Sequence, residues 1–365
     1  MVYRAIGLMS GSSLDGLDIV LAEFTEQAGK WSWEIKAAAC YPYEEALAIR
    51  LKDAVHLPAL DYQLLHTEYG HYLGQQVNRF IEENQLHFQA ALIASHGHTS
   101  FHLPGKKMTA QLGDGAAIAA ETGLPVVSDL RALDVALGGQ GAPIVPIGEK
   151  FLFPGYGFFL NIGGIANLSV SHPHFAAFDI CAANRVLNML AQDAGKPFDH
   201  NGQIAASGQL DHSLLEKLDA LDYYQQPAPK SLANDFGTDR VYPMIRAAGI
   251  SIPDAMRTYA THIARQTGKA VAAWKQKMES GADGRCLVTG GGAFNSYLIS
   301  LIAEALNESG IQTEVPDENL INYKEALVMA FIGVLRWRQE FNVLATVTGA
   351  SRNSIGGALW TGQDA

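Results

Sequence analysis

Five polar segments of this 365-residue chain follow or interrupt apolar runs, and their residue types are those that chemistry on a phosphorylated or hydroxylated ligand needs. The first is Ser10-Gly11-Ser12-Ser13-Leu14-Asp15-Gly16-Leu17-Asp18. Its small residues let backbone amides approach an anion, its hydroxyls donate to phosphate oxygens, and Asp15 and Asp18 offer carboxylates to a hydrated magnesium ion. A polar hairpin turn explains the same composition. Asn161-Ile162-Gly163-Gly164-Ile165-Ala166-Asn167 has the makeup of a second amide cradle, and Thr289-Gly290-Gly291-Gly292-Ala293 joins an apolar run to a helix start in a way that admits a flat group such as adenine or ribose. Ordinary turns are the competing reading for both.

Two further segments carry side chains suited to acid–base work and anion binding. Phe178-Asp179-Ile180-Cys181 places a carboxylate just after the second Gly loop, where it serves either as a general base or as the N-cap of a helix over 182–194. His96-Gly97-His98-Thr99, with His102 nearby, invites a metal reading, but no carboxylate or Cys completes a zinc spacing, and contact with sugar hydroxyls is favoured. Arg131, in Ser128-Asp129-Leu130-Arg131, suits an anionic group or a surface salt bridge. Glu325 either reaches a ligand or complements a helix dipole. No GxxxxGK[ST] occurs, nor a GxGxxG opening a helix after a strand, so P-loop and Rossmann readings lose support.

The elements that must hold these residues read as α/β. Tyr3 to Met9 and Leu17 to Phe24 form a strand, loop and returning strand, and 157–162 with 168–171 repeat that plan about 150 residues later. The repeat suggests two related α/β halves. Helical patterns at 60–84 and 115–122 alternate with short apolar runs at 90–95 and 125–128. In the second half, helices are expected over 253–278, 295–306 and 323–340, with a buried strand over 286–289. The Gly- and Pro-rich stretch 138–146 suits a crossing, giving one lobe of 1–140 plus about 341–365 and another of 141–340.

Composition narrows the function classes. Hydrophobic residues make up 48% and charged residues 17%, which describes a globular chain. The net charge of −11, from 26 basic against 37 acidic residues, argues against a nucleic-acid partner. The three cysteines are distant from one another and fit a reducing compartment, and no apolar run is long enough to span a bilayer, so a cytoplasmic protein without a membrane partner is expected.

In combination, Gly7-Leu8-Met9-Ser10-Gly11-Ser12-Ser13-Leu14-Asp15-Gly16-Leu17-Asp18, His96-Gly97-His98-Thr99, Gly138-Gly139-Gln140-Gly141-Ala142-Pro143, Asn161-Ile162-Gly163-Gly164-Ile165-Ala166-Asn167 and Gly290-Gly291-Gly292 resemble the anhydro-N-acetylmuramic acid kinase family, from about residue 5 to about residue 358. The resemblance implies a two-lobed, actin-like ATPase (ribonuclease H-like) fold with duplicated α/β domains and ATP in an interdomain cleft. It implies ATP- and magnesium-dependent conversion of 1,6-anhydro-N-acetylmuramic acid and water to N-acetylmuramic acid 6-phosphate in peptidoglycan recycling. By the same resemblance, Gly11, Ser12, Ser13, Leu14, Asp15, Gly16, Leu17 and Asp18, with Gly163, Gly164, Gly290, Gly291 and Gly292, bind ATP. Asp179 is the catalytic base, and His96, Arg131 and Glu325 contact the sugar. A homodimer is compatible with this class of kinase.

Departures stand beside the matches. The family's Thr-Gly-Pro-Gly-Asn type run after the catalytic Asp is Ile180-Cys181-Ala182-Ala183-Asn184 here, and its common His-Gly-Gln-Thr is His96-Gly97-His98-Thr99. The first departure motivates an alternative, a catalytically weak sugar or nucleotide sensor of the same fold.

Overall fold

Alternating apolar residues in the opening segment fold as paired strands in a computed structural model that describes residues 1–11, 13–233, 235–278 and 284–362. In chain order the strands are β1 (Val2–Ser10), β2 (Gly16–Gln27), β3 (Lys30–Pro42), β4 (Leu92–Ser95), β5 (His98–Leu103), β6 (Met108–Leu112), β7 (Val126–Ser128), β8 (Phe158–Ile162), β9 (Ile165–Val170), β10 (Ala176–Ala182), β11 (Arg285–Thr289), β12 (Gln312–Glu314) and β13 (Ala358–Trp360). The chain divides into two compact units, Met1–Pro154 with Tyr323–Ala365, and Gly155–Asn322. The crossings fall after residue 154 and at 323, whereas the sequence suggests 140 and 340. Helix Pro146–Leu152 explains the first difference, because it buries Pro146, Ile147, Gly148, Glu149 and Leu152 within the first unit.

The first unit is built on a sheet of order β13-β7-β4-β1-β2-β3, in which β1, β2 and β3 are antiparallel neighbours while β4 runs parallel to β1 and to β7. Ile6, Leu8, Ile19 and Leu21 point from it into a core closed by Leu65, Tyr69, Leu73 and Val77 on helix Ala59–Glu83. Gly7 faces helix Glu318–Trp337, where any Cβ would collide with the backbone carbonyl of Ala326; glycine alone permits that approach.

The second unit repeats the arrangement. Its sheet has the order β10-β9-β8-β11-β12, with β8, β9 and β10 antiparallel and β11 parallel to β8 and β12. This is the same order and polarity as β3-β2-β1-β4-β7, so the two halves share one topology, as the repeated strand-loop-strand pattern suggests. Helix Ile252–Lys275 buries Met256, Tyr259, Ala260 and Ile263 in a core shared with Phe178, Ile180 and Val288. Its N-cap is Ser251, whose hydroxyl accepts from the Asp254 amide, with Pro253 in the first turn where no intrahelical donor is required.

Within the first unit, Lys324 and Glu149 form an ion pair at 3.0 Å with both side chains almost wholly buried, at 4% and 3% exposure. Removing one partner strands a charge in a dry interior, at a cost of about 3–5 kcal/mol. We predict that Glu149→Gln lowers the unfolding free energy of the first unit by that amount in urea titrations, and that Lys324→Met with Glu149→Leu recovers most of the loss. A change below about 1 kcal/mol for the single variant would show the pair to be unimportant.

Candidate functional site

In the first unit the hairpin joining β1 to β2 carries the segment expected to meet phosphate. Leu14 closes its turn at φ 58, with its amide bonded to the Gly11 carbonyl at 3.3 Å, and Ser12 lies outside the described residues. Asp18 sits on β2, opposite Met9 and Cys40. Burial pushes its carboxyl up to about 6, the Cys40 thiol hydrogen bond opposes that rise, and the charges of Glu325 and Asp15 add to it. Behind the hairpin, Tyr43 donates to Ser10 Oγ at 2.8 Å and meets the Tyr69 hydroxyl at 2.7 Å, while Ser10 Oγ lies 3.3 Å from Nδ1 of His98. The histidine that replaces the family's glutamine is thus an inward-facing member of a buried polar chain.

His96 and Arg131 form a single construction. Nδ1 of His96 donates to the Gly97 carbonyl at 2.8 Å, which leaves Nε2 as an acceptor for Nε of Arg131, also at 2.8 Å. The ring is therefore neutral. Burial and the guanidinium beside it hold its pKa down to about 3. Arg131 also donates from Nη1 to the Gly141 carbonyl at 2.7 Å, and burial lowers its own pKa to about 10 against the attraction of Glu325 and Asp134. Gly141 is fixed in turn by the buried Asp134, whose carboxylate accepts from the Gly141 amide at 2.8 Å and from Thr348 at 2.7 Å. Both His96 nitrogens are thus engaged within the protein, and the Arg131 side chain is held on two sides rather than lying in a surface salt bridge. Glu325 falls two turns inside helix Glu318–Trp337, so the dipole reading for it fails. Burial raises its carboxyl, opposed by Lys324 and Arg131.

In the second unit a row of polar residues crosses four strands: Asp179 on β10 is opposite Asn167 on β9, which is opposite Asn161 on β8, which is opposite Thr289 on β11. Asp179 lies within β10 and the following helix, Asn184–Asp193, is preceded by Ala183, so the N-cap reading also fails. A bulge between Asp179 and Cys181 interrupts the pairing. The carboxylate is half-buried, and its sole hydrogen bond among the described residues comes from the Leu232 amide to Oδ2 at 2.8 Å. Desolvation raises its pKa, and that amide partly offsets the rise.

Two glycine turns adjoin the row. The Gly163 and Gly164 carbonyls accept from the amides of Asn184 and Ala183 at 3.1 and 2.8 Å, tying the β8–β9 hairpin to a helix start. Gly290, at φ +81, and Gly292 pass so close to Asn161 and Ile162 that a Cβ at either would clash. Beside them lies a cavity of about 560 Å³, bordered by Asn184, Asn188, Gly291, Gly292 and the partly exposed rings of Phe198 and Phe294. Ser95 Oγ and Thr289 Oγ1, at the ends of the corresponding strands β4 and β11, are buried and lack a hydrogen-bond partner among the described residues.

The structure thus brings Asp18, Glu325, Arg131 and His96 into one electrostatic neighbourhood in the first unit, and Asp179, the two glycine turns and the cavity onto one sheet end in the second. Sequence reasoning missed Asn161 and Asn167 as neighbours of Asp179, although they flank the Gly163-Gly164 pair two residues before it and three after it. It also missed the segment 222–232, whose role comes from packing alone. Among the described residues no group of three or more His, Cys, Asp or Glu side chains is placed to hold a metal, and no helix is long and apolar enough to cross a membrane.

A family model described as anhydro-N-acetylmuramic acid kinase matches residues 3–362. An anhydro-N-acetylmuramic acid kinase of Vibrio parahaemolyticus is 33% identical, with 98% of each chain covered. One from a Sulfurovum species is 32% identical over 98% of this chain and 99% of the relative. Among solved structures, an activator of 2-hydroxyisocaproyl-CoA dehydratase from Clostridium difficile aligns over 92% of this chain and 96% of its own, at TM-score 0.47 and 14% identity.

The buried neutral histidine has a measurable consequence. His96 titrates near 6.5 when unfolded but near 3 in the folded chain, so the stability it confers is complete above 6.5 and is lost as pH falls toward 3. Asp18, held up to about 6, acts in the opposite sense: its contribution is greatest below 3.8 and is lost as pH rises through 6. Comparing His96→Gln with the parent isolates the first effect. We predict that between pH 6 and 4 the parent loses stability more steeply, by up to about 1.4 kcal/mol per pH unit; equal slopes would show that His96 is not held neutral.

Proposed function

The chain belongs to the anhydro-N-acetylmuramic acid kinase family, and from that premise we propose that it uses ATP and water to convert 1,6-anhydro-N-acetylmuramic acid to N-acetylmuramic acid 6-phosphate and ADP, with Asp179 as the general base. Asp179 takes a proton from the water whose oxygen bonds to the anomeric carbon. As the bond from that carbon to O6 breaks, O6 receives the γ-phosphoryl group and ADP departs. The observation that carries this reading is the half-buried Asp179 carboxylate, which has one oxygen held by the Leu232 amide and the other without a hydrogen bond among the described residues. A carboxylate so arranged is oriented, raised in basicity by desolvation, and open to one incoming proton.

Each unit contributes its own groups. In the first, the 11–18 segment offers amides and hydroxyls to phosphate oxygens, and Arg131, with Glu325, provides the charged contacts for a carboxylated amino sugar. His96 acts through Arg131. In the second, the cavity beside Gly290, Gly291 and Gly292 takes the purine and ribose, with Gly163 and Gly164 presenting the hairpin turn to phosphate. Asp18 and Asp15 fit magnesium: their mutual repulsion, part of what holds the Asp18 carboxyl up to about 6, is relieved by a bound cation. Magnesium usually binds one or two carboxylates together with phosphate oxygens. When bound it neutralises charge on those oxygens. The three cysteines, distant from one another along the chain, support a reducing, cytoplasmic setting for the reaction.

The test is ADP release with the anhydro sugar, run beside N-acetylmuramic acid. Stoichiometric ADP and 6-phosphosugar are expected. Asp179→Asn is expected to bind the sugar and to lose turnover by at least about a hundredfold; near-parental turnover removes Asp179 from the role, and binding of both ligands without any turnover by the parent chain overturns the proposal as a whole.

A further inference from the structure

β10 is an edge strand of the second sheet, yet at Asp179 its open edge is not left to solvent. The segment from Tyr223 to Leu232 reaches Asp179 at three points. The Asp179 amide donates to the Lys230 carbonyl at 2.9 Å, the Tyr223 hydroxyl donates to the Asp179 carbonyl at 2.7 Å, and the Leu232 amide donates to Oδ2 at 2.8 Å. The segment is also closed on itself. Lys230 Nζ donates to the Tyr223 carbonyl at 2.8 Å and lies 4.3 Å from the centre of the Tyr223 ring, while Tyr223 is buried and Lys230 half-buried. An edge bulge needs such support, since the strand pairing that would otherwise fix the residue's direction is interrupted at that point.

We infer that Tyr223 and Lys230 are positioning residues for the general base, forming a clasp that aims the Asp179 carboxylate and sets how readily it accepts a proton. The inference rests on the role proposed for Asp179. Its logic is electrostatic as well as steric. A hydrogen bond donated to a carboxylate favours the ionised form, so the Leu232 amide keeps Asp179 deprotonated in a site whose dryness favours the acid. Tyr223 holds the Asp179 carbonyl and Lys230 holds Tyr223, and together with the backbone bond from the Asp179 amide to the Lys230 carbonyl they fix the place of that amide. The other titratable groups that feel this carboxylate are Tyr223 itself and Cys181 on the far side of the bulge, both pushed up chiefly by burial. Neither ionises near neutral pH, so the clasp alone is open to adjustment.

ADP release from the full chain, with ATP and the anhydro sugar, tests the inference as a function of pH in Tyr223→Phe, Lys230→Met, Lys230→Arg and Asp179→Asn. For Tyr223→Phe and Lys230→Met we expect kcat to fall about tenfold, the scale of a small misplacement, with each KM within about twofold. The acid limb of kcat moves to higher pH, because a carboxylate deprived of its amide donor is protonated more easily. Lys230→Arg keeps the charge and the donor and recovers most of the loss. In the Asp179→Asn background, Tyr223→Phe adds no further loss. Parental kcat and limb in Lys230→Met and Tyr223→Phe, with Asp179→Asn inactive, overturn the clasp and leave the base in place. Near-parental turnover in Asp179→Asn overturns the base and the clasp with it. Should thermal melting show that Tyr223→Phe does not fold, the limb of Lys230→Met decides: shifted supports the clasp, unshifted overturns it.

Discussion

The Leu232 amide donates to Oδ2 of Asp179 across 2.8 Å, and the surrounding second unit is arranged so that this remains the carboxylate's sole hydrogen bond among the described residues. A carboxylate in a dry setting with no donor is held as the neutral acid and accepts no proton; one surrounded by donors is too stable as the anion to do so. Each pKa unit corresponds to about 1.4 kcal/mol, comparable to the net worth of one charge-assisted hydrogen bond, so a single amide is enough to decide the balance. Everything that fixes that amide relative to the strand is therefore part of the site. Tyr223 and Lys230 tie the 223–232 segment to the strand beside the bulge after Asp179.

One topology occurs twice in the chain, yet the two copies hold different chemistry. In each, the segments singled out from the sequence lie at the turn of the first hairpin and at the end of the crossing parallel strand: Gly11 with Ser13 to Asp15 and His96-Gly97 after β4, then Gly163-Gly164 and Gly290-Gly291-Gly292 after β11. Strand ends are where backbone amides and carbonyls leave the ladder and become available, so a duplicated sheet duplicates the opportunity. What differs is charge. The first unit gathers Asp18, Glu325 and Arg131, groups whose acidities depart from their ordinary values because they share a half-dry space. The second unit sets a single carboxylate in a row of neutral polar side chains, Asn167, Asn161 and Thr289, none of which carries a charge to compensate it.

Much of the fold was legible because local pattern and tertiary role agree. The helix expected over 253–278 is Ile252–Lys275, the strand over 286–289 is Arg285–Thr289, and the helix over 295–306 is Ser296–Asn307; in each case an apolar period is bounded by Pro, Gly or a capping side chain. Strand β3 was not legible, because Lys30–Pro42 alternates Lys, Trp, Ser and Glu with a run of alanines and shows no buried face until β2 lies beside it. Of the two readings of Glu325, the helix-dipole one fails because the expected start of the helix lies too late. The helix begins at Glu318, ahead of the expected start at Tyr323, with Leu320 and Ile321 already buried on it, so Glu325 is an interior residue rather than a first-turn one. Arg131 and His96 were identified as separate ligand groups, while their 2.8 Å bond spans 35 positions and leaves no mark on spacing.

The run after Asp179 shows why a departure from a family's motif need not empty a site. Ile180, Cys181, Ala182 and Ala183 are all buried, so hydroxyl or glycine at these positions would face the interior. The backbone of this stretch finds partners regardless: the Ala182 carbonyl accepts from Tyr259 at 2.7 Å, and the Ala183 and Asn184 amides donate to the Gly164 and Gly163 carbonyls, while the Asn184 side chain donates from Nδ2 to the Ile162 carbonyl at 3.1 Å. The one residue of the run whose side chain makes a bond toward the glycine hairpin, Asn184, is the one retained from the family's pattern. A sequence in which the surrounding elements satisfy the backbone does not need glycine to bend it, and the conformational freedom that glycine would lose on folding is then no longer a cost. The direction of the Asp179 carboxylate is consequently set from the other side, by the segment that closes the sheet edge and whose Leu232 amide holds Oδ2.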